Sequence, residues 1–215
     1  MKVPSNEYCN NLLKQYYVPQ PIRRHCEVVT EVGLTLANHL LQAGVHIDVQ
    51  IVEAGCRIHD VFKVASLKEL TPILKFNYVP TQEEIIVQKK LSEQFKGIHE
   101  TLIASEMLRD EFPEFADRIV AQIGSTGNPC YLQGEIELKV IHYADWRVQF
   151  DEIISFDDRL AYLCETYKDS WEKTGVPWKI RYEQEKLIEK QIFEKLDFTP
   201  EDLVLVVERS NNAAI

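Results

Sequence analysis

An all-α fold is predicted for this chain of 215 residues from three observations. Apolar residues recur at three- and four-residue spacing over most of the sequence, which is the period of an amphipathic helix. Runs that alternate apolar and polar residues, as half-buried strands do, are scarce. Prolines and glycines separate the periodic segments. The hydrophobic content of 45% is enough to fill one core, so we expect one substantial domain.

The helical period defines ten segments between these breakers. They lie at 5–16, 20–43, 48–63, 81–94, 98–111, 113–123, 134–149, 157–173, 177–196 and 200–208. Pro19 and Pro21 suit the start of the second segment, because the first helical N–H groups have no partner within the helix, and Gly44 ends that segment. Gly97 and Pro113 separate the segments in the middle of the chain.

Three connecting stretches complete the organisation. Residues 64–96 are long enough to form a lid, although their second half carries a helical pattern. Residues 124–129, Gly-Ser-Thr-Gly-Asn-Pro, are typical of a turn-rich loop. Thr199-Pro200 is typical of a helix cap with proline at the first helical position.

Groups able to bind a metal interrupt the apolar stripes of three predicted helices. His25, His59 and Asp145 fall on these stripes, and Asp60 follows His59 directly. The three stripes are Ile22, Val29, Val32, Leu36 and Leu40; Val49, Val52 and Cys56; and Leu138, Ile141 and Val148. Burying an unpaired carboxylate costs several kcal/mol or more, so such a residue in a core is expected to be paired or to bind a cation.

The donor types favour a divalent metal. Two imidazole nitrogens and two carboxylate oxygens form a mixed nitrogen and oxygen site. Such a site suits Mn²⁺, Fe²⁺, Co²⁺, Ni²⁺ or Mg²⁺ and differs from the thiolate sites that bind zinc. His59 and Asp60 would project about 100° apart on a continuous helix, so the metal would lie across that edge, with His25 and Asp145 closing the other side. For each residue taken alone, a buried His–Asp hydrogen bond without metal is the alternative interpretation.

Composition excludes several classes of partner. The net charge of −10 argues against binding to duplex nucleic acid, which needs a basic face. No apolar run approaches the roughly 20 residues of a membrane span, and the first residues lack the apolar core of a secretion signal. The five cysteines are odd in number and contain no C-x-x-C pair, which favours reduced thiols. We therefore expect a cytoplasmic protein with no membrane partner.

Four segments carry a family resemblance beyond the ligand residues themselves. They are Ile-Arg-Arg-His25, Arg57-Ile-His59-Asp60-Val-Phe-Lys63, Gly97-Ile-His99-Glu-Thr-Leu-Ile-Ala-Ser and Ile141-His-Tyr-Ala-Asp145-Trp-Arg-Val148. Their order resembles that of the HD-domain superfamily of metal-dependent phosphohydrolases (HDIG-like) over roughly residues 10–165. The resemblance implies an HD-domain helical bundle at 1–165, with 166–215 as a C-terminal helical extension packed on the same domain.

The resemblance also implies an activity. His25, His59, Asp60 and Asp145 would hold one divalent metal, and metal-activated water would attack a small phosphoester, with Asp60 orienting or deprotonating that water. A nucleotide is the expected substrate by analogy with the superfamily. The alternatives are a catalytically inactive nucleotide-sensing HD module and, less favoured, an HD-fold di-iron oxygenase.

His99 has two open interpretations. It matches the first of the additional histidines in superfamily members with two metals, but Gly124 occupies the second position, so we expect one metal per chain. His99 would then contact the substrate phosphate or a metal-bound water. The alternative is a histidine at a helix N-terminus that only hydrogen-bonds nearby backbone.

Phosphate hydrolysis also needs cationic groups. Lys63, three residues after Asp60, and Arg147, two residues after Asp145, are the candidates. The alternative for each is a surface charge or, for Lys63, a structural partner of Asp60. His39, His46 and His142 lie off the ligand pattern. The charged helix from Trp178 to Lys195 is predicted to be an exposed amphipathic element that can pack across the domain or a partner subunit, which leaves a homo-oligomer open.

Overall fold

Helices dominate the computed structural model, which describes residues 1–123, 134–172 and 177–213, without the side chains of 167–172 and 213. The all-α prediction is confirmed. In chain order the helices are α1 Asn6–Gln15, α2 Gln20–Gln42, α3 Val49–Ile58, α4 Lys63–Ser66, α5 Gln82–Gln94, α6 Glu100–Leu108, α7 Pro113–Phe115, which continues through a π turn at Ala116–Val120 to Ala121–Ile123, α8 Ile136–Trp146, α9 Phe156–Glu172, α10 Trp178–Phe193 and α11 Leu203–Ala213. None of these described helices is long and apolar enough to cross a membrane.

Helices α2, α3 and α8 pack against one another and form the centre of the fold. Helix α2 begins as predicted, with Pro21 in its first turn, and its buried side includes Val29, Val32 and Leu36. The Asp48 side chain caps α3 by accepting from the backbone N–H of Gln50 at 3.0 Å. These three helices carry the predicted metal ligands.

Two glycines allow the central helices to approach closely. A Cβ atom added to Gly33 on α2 would lie 2.6 Å from Cys56 Sγ on α3. A Cβ atom on Gly55 would overlap Cδ1 of Ile141 on α8. Both glycines therefore set the spacing of the helices that position the site.

The predicted helix at 48–63 is wrong at its end, because α3 stops at Ile58. His59 and Asp60 lie in the turn that leads to the short helix α4. The His59 ring Nδ1 donates to the backbone oxygen of Cys56 at 2.8 Å. The side chain thereby bonds a carbonyl near the helix end. The backbone forms a tighter turn after it, in which the N–H of Val61 donates to the oxygen of Ile58 at 3.0 Å.

The predicted helix at 134–149 also ends early, at Trp146. A short antiparallel hairpin follows, in which β1 (Val148–Gln149) pairs with β2 (Glu152–Ile153). Phe150 at its turn has a φ of 58°, in the left-handed region. The hairpin turns the chain back over the N-terminal part of α2, where His25 lies.

The segment at 64–96 contains α4, a 3₁₀ turn at Leu74–Phe76 and α5. Helix α5 starts with a capping box, in which Thr81 and Glu84 exchange hydrogen bonds, and it packs on α4. The loop predicted at 124–129 lies outside the described residues.

The C-terminal helices pack on the central ones. Residues on one side of α10 are buried, and the Tyr143 hydroxyl on α8 donates to Glu189 Oε2 on α10 at 2.7 Å. Helix α11 lies against α2, where Asn211 Nδ2 donates to Glu31 Oε2 at 3.0 Å. The expected domain boundary after residue 165 falls inside α9, so a single helix crosses it. The helix predicted as exposed at 178–195 is therefore half buried against α8.

Candidate metal centre

His25 lies in the second turn of α2, and both of its ring nitrogens face acceptors. Nδ1 lies 2.9 Å from the backbone oxygen of Phe150, and Nε2 lies 3.0 Å from Oδ1 of Asp145. A carbonyl oxygen can only accept, so we assign the proton of the neutral ring to Nδ1. The lone pair of Nε2 then faces a carboxylate.

His59 has the same arrangement. Its Nδ1 donates to the backbone oxygen of Cys56, while Nε2 lies 3.6 Å from Asp145 Oδ1 and 3.9 Å from Asp60 Oδ2. Nε2 is buried and has no hydrogen-bond partner among the described residues. A buried polar atom without a partner costs about 1–3 kcal/mol, so this position favours an additional cation or proton.

The ionisation of the site reflects the same geometry. Burial raises the pKa of Asp145, but the adjacent rings of His25 and His59, which carry positive charge and can donate from Nε2 when protonated, hold that pKa well below its usual range. Burial lowers the pKa of His59, but the neighbouring Cys26, Asp60 and Asp145 raise it well above its usual value. The site therefore attracts positive charge to the space between the imidazoles and the carboxylates, as protons or as a metal cation.

The structure brings all four predicted ligands together. One donor atom each from His25, His59 and Asp60 lies within 4.8 Å of the other two, and Asp145 Oδ1 adjoins both imidazoles. Donors bound at about 2.1 Å around one cation lie roughly 3–4 Å apart, and the distances from Asp145 Oδ1 to the two Nε2 atoms and from His59 Nε2 to Asp60 Oδ2 fall in this range. His59 and Asp60 converge because they lie in a turn, which corrects the expected 100° divergence on a continuous helix.

Cys56 lies behind the centre and is completely buried. Burial raises the pKa of its thiol to about 12, so the sulfur stays protonated at neutral pH. Cys56 therefore packs as a small apolar residue and not as a thiolate ligand.

Lys63 lies beside Asp60 but is held by a second carboxylate. Its Nζ is 2.9 Å from Glu100 Oε1 and 3.7 Å from Asp60 Oδ1. The Ser66 hydroxyl donates to the other oxygen of Glu100 at 2.6 Å. Burial opposes ionisation of Glu100, but Lys63 and Ser66 lower the pKa of this carboxyl to about 2. Glu100 thus fixes the ammonium group of Lys63 next to a predicted metal ligand.

His99 caps α6 through its side chain. Nδ1 accepts from the backbone N–H of Thr101 at 3.4 Å and lies 3.0 Å from the hydroxyl oxygen of that residue. Because Nδ1 accepts, the neutral ring carries its proton on Nε2. The capping contact of the alternative interpretation is thus present. The side chain is 47% exposed, so a role toward substrate stays a prediction.

Arg147 is buried and bonded within the fold. Its guanidinium donates to the backbone oxygen of Ile154 at 2.7 Å, to the Tyr143 hydroxyl at 2.7 Å and to the backbone oxygen of Pro200 at 3.0 Å. These bonds join α8, the hairpin and the 3₁₀ turn at Pro200–Asp202, which precedes α11. The structure therefore favours a bracing role over the phosphate-binding role expected from the sequence.

Two site residues were missed by the sequence reasoning. Glu100 follows His99 directly, and a buried acidic residue in a first helical turn is the signal that marks it. Phe150 acts through its backbone oxygen, which no side-chain pattern reveals. The expectation of a single metal rested on Gly124, which lies outside the described residues.

Comparison with known proteins assigns no family. No model of a protein family matches the chain, and neither the curated proteins nor the solved structures contain a match.

Proposed function

We propose that this chain is a metal-dependent phosphohydrolase of the HD-domain superfamily, with one divalent metal held by His25, His59, Asp60 and Asp145. One observation carries the proposal: the buried Nε2 of His59 has no hydrogen-bond partner among the described residues and faces two carboxylates. Histidines that bind a metal usually donate their other ring N–H to a carbonyl or carboxylate. His59 and His25 both do so, through Cys56 and Phe150.

The four donor side chains fit a divalent metal cation. Two imidazoles and two carboxylates suit Mn²⁺, Fe²⁺, Co²⁺, Ni²⁺ or Mg²⁺, and one such cation would supply the positive charge that the site attracts. A bound divalent cation supplies Lewis acidity, which lowers the pKa of water and neutralises charge on a phosphoryl oxygen. The remaining chemistry falls to side chains of the chain itself.

Asp60 and Lys63 would have two different roles in the reaction. Asp60 would accept a proton from the attacking water, because its carboxylate lies at the edge of the centre and is 18% exposed. The ammonium group of Lys63, fixed by Glu100, would hold a phosphoryl oxygen as negative charge develops on it. His99 can donate from Nε2 to the leaving group or to the phosphate, since its capping bonds use Nδ1.

The proposed substrate is a small phosphoester, and a nucleotide is the first choice through the resemblance to the superfamily. The net charge of −10 disfavours large polyanions such as duplex nucleic acid. We place the protein in the cytoplasm. A homo-oligomer is compatible with the exposed side of α10.

Metal analysis followed by an activity panel tests the proposal. Wild-type protein should hydrolyse a nucleoside monophosphate or a simple phosphoester when supplied with Mn²⁺ or Co²⁺, and EDTA should abolish the turnover. His25→Ala should be inactive, whereas His39→Ala, which changes a histidine on the other half of α2, should not. Metal binding without turnover of any substrate would favour the nucleotide-sensing module, and two metals per chain would favour the di-iron oxygenase.

A further inference from the structure

A group of basic residues lies on α2 and α3 behind the metal centre. Arg23 and Arg57 each precede a predicted metal-binding histidine by two residues. Positions two apart on a helix project about 200° apart, so Arg23 faces away from His25. Arg57 lies on α3, whereas His59 lies in the turn that follows this helix.

The two arginines line a cavity of about 210 Å³ between α1, α2 and α3. Lys14 at the end of α1 adds a third positive charge, and Asn10 adds an amide. Glu27 is the one carboxylate among the described residues that line the cavity, and it is paired with Arg24 at 3.2 Å. The cavity is therefore locally basic in a chain whose net charge is −10.

The hydrogen bonds around the cavity leave donors available. Arg57 is bonded to Glu53 at 3.0 Å and to Asn6 at 3.0 Å. Within the described part of the chain, no carboxylate lies at ion-pair distance from Arg23 or Lys14. The Nε atom of Arg23 is buried and has no hydrogen-bond partner among the described residues. An unsatisfied buried guanidinium N–H is costly, and an acceptor in the cavity would remove that cost.

We propose that this cavity binds a small oxyanion, inorganic phosphate, at a site separate from the metal centre. The volume is below the roughly 300 Å³ at which pockets for drug-sized ligands begin, so a single phosphate-sized anion fits better than a whole nucleotide. Guanidinium groups match the oxygens of phosphate in geometry and charge. Cys26 forms part of the cavity wall, is 1% exposed, and directly follows the α2 ligand His25 in the sequence.

Titration calorimetry with sodium phosphate tests this proposal on the full chain after treatment with EDTA, which removes metal as an alternative phosphate ligand. Wild-type protein should bind one phosphate per chain. Arg23→Gln should weaken binding about ten-fold or more, because it removes a charge-assisted donor. Lys14→Gln, at an exposed position, should weaken binding as well and serves if Arg23→Gln fails to fold.

Two matched variants exclude trivial explanations. Arg118→Gln removes the same charge from a surface arginine that lies outside the cavity, and Asp145→Asn alters the metal centre; both should bind phosphate as the wild type does. The proposal is overturned if wild-type protein binds no phosphate, or if Arg118→Gln weakens binding as much as Arg23→Gln. Loss of binding in Asp145→Asn with retention in Arg23→Gln would place the anion at the metal centre and equally overturn it.

Discussion

The Nε2 atom of His25 lies 3.0 Å from Oδ1 of Asp145, although 120 residues separate them in the sequence. The contact joins α2 to the last turn of α8, and His59 approaches the same oxygen from the end of α3. One carboxylate oxygen thus links three helices that meet in the core. Removing any of these groups should therefore affect metal binding and folding together.

We expect His59→Ala and Asp145→Ala each to lose most of the bound metal and to lower the Tm in its presence. At a metal concentration of about 100 Kd the wild type should gain about 2.7 kcal/mol of stability, and the variants should gain little of it. Elemental analysis and thermal unfolding with and without EDTA measure both effects. His39→Ala serves as the control, and equal metal content in all four proteins would contradict the ligand set.

Lys63→Ala should lower kcat about ten-fold or more with metal content unchanged, because one charge-assisted contact is commonly worth about 1.5–3 kcal/mol. Lys63→Arg should recover part of the rate, since it keeps the charge. Steady-state kinetics on the best substrate, with Lys89→Ala as a surface control, provide the measurement. An unchanged kcat in Lys63→Ala would remove this residue from the mechanism.

Arg147→Ala should behave differently from Lys63→Ala. It leaves two carbonyl oxygens and the Tyr143 hydroxyl without their donor, so we expect a loss of about 2–4 kcal/mol in the free energy of unfolding. Urea unfolding measures this loss. A stable Arg147→Ala protein with a strongly reduced kcat would restore the role in phosphate binding that the sequence predicted for Arg147.

Glu100 predicts an acid-sensitive contribution to stability. Its pKa in the fold is about 2, below the ordinary value of 4.5, so the ionised form is favoured by folding. The contribution is present above about pH 4.5 and is lost as the pH falls toward 2. Glu100→Gln should therefore be less stable than the wild type at pH 6, and the difference should shrink on acidification. A difference that is constant between pH 6 and pH 3 would argue against the Lys63–Glu100 pair.

Gly33→Ala should destabilise the central helices by about 1–3 kcal/mol, because the new Cβ atom meets the sulfur of Cys56. Gly44→Ala should destabilise the protein for a different reason, backbone strain, because Gly44 has a φ of 83° and open space around its Cα. Comparing the two by thermal unfolding and metal content separates packing from backbone strain. Only Gly33→Ala is expected to weaken metal binding. Weaker metal binding in Gly44→Ala than in Gly33→Ala would contradict the close packing of α2 on α3.

The positions of most helices could be predicted from the sequence. Helix α2 was predicted at 20–43 and is Gln20–Gln42, because proline and glycine mark its ends and its apolar stripe is long. The hairpin after Trp146 was not predicted, since strands of two residues are too short to show alternation. The break at His59 was also missed, because it depends on a bond from a side chain to a backbone oxygen.

The candidate site was readable only in part. His25, His59 and Asp145 were recognisable because they interrupt apolar stripes, and Asp60 because it follows His59 directly; the structure brings the four residues together. The carbonyl of Phe150 reaches the site through tertiary folding, so no local pattern points to it. The contact of the Glu100 carboxylate with Lys63 also depends on the tertiary fold. The bond from Arg147 to the backbone oxygen of Pro200 likewise connects segments that are distant in sequence.

Titration of EDTA-treated protein with Mn²⁺ or Co²⁺ tests the metal centre most directly. Calorimetry in two buffers of different ionisation enthalpy gives the stoichiometry and the number of protons released. We predict one metal per chain with release of protons at neutral pH, because the pKa of His59 is raised and its Nε2 must be unprotonated to bind. Absence of binding, or binding that His59→Ala leaves unchanged, would contradict the metal centre and the function proposed from it.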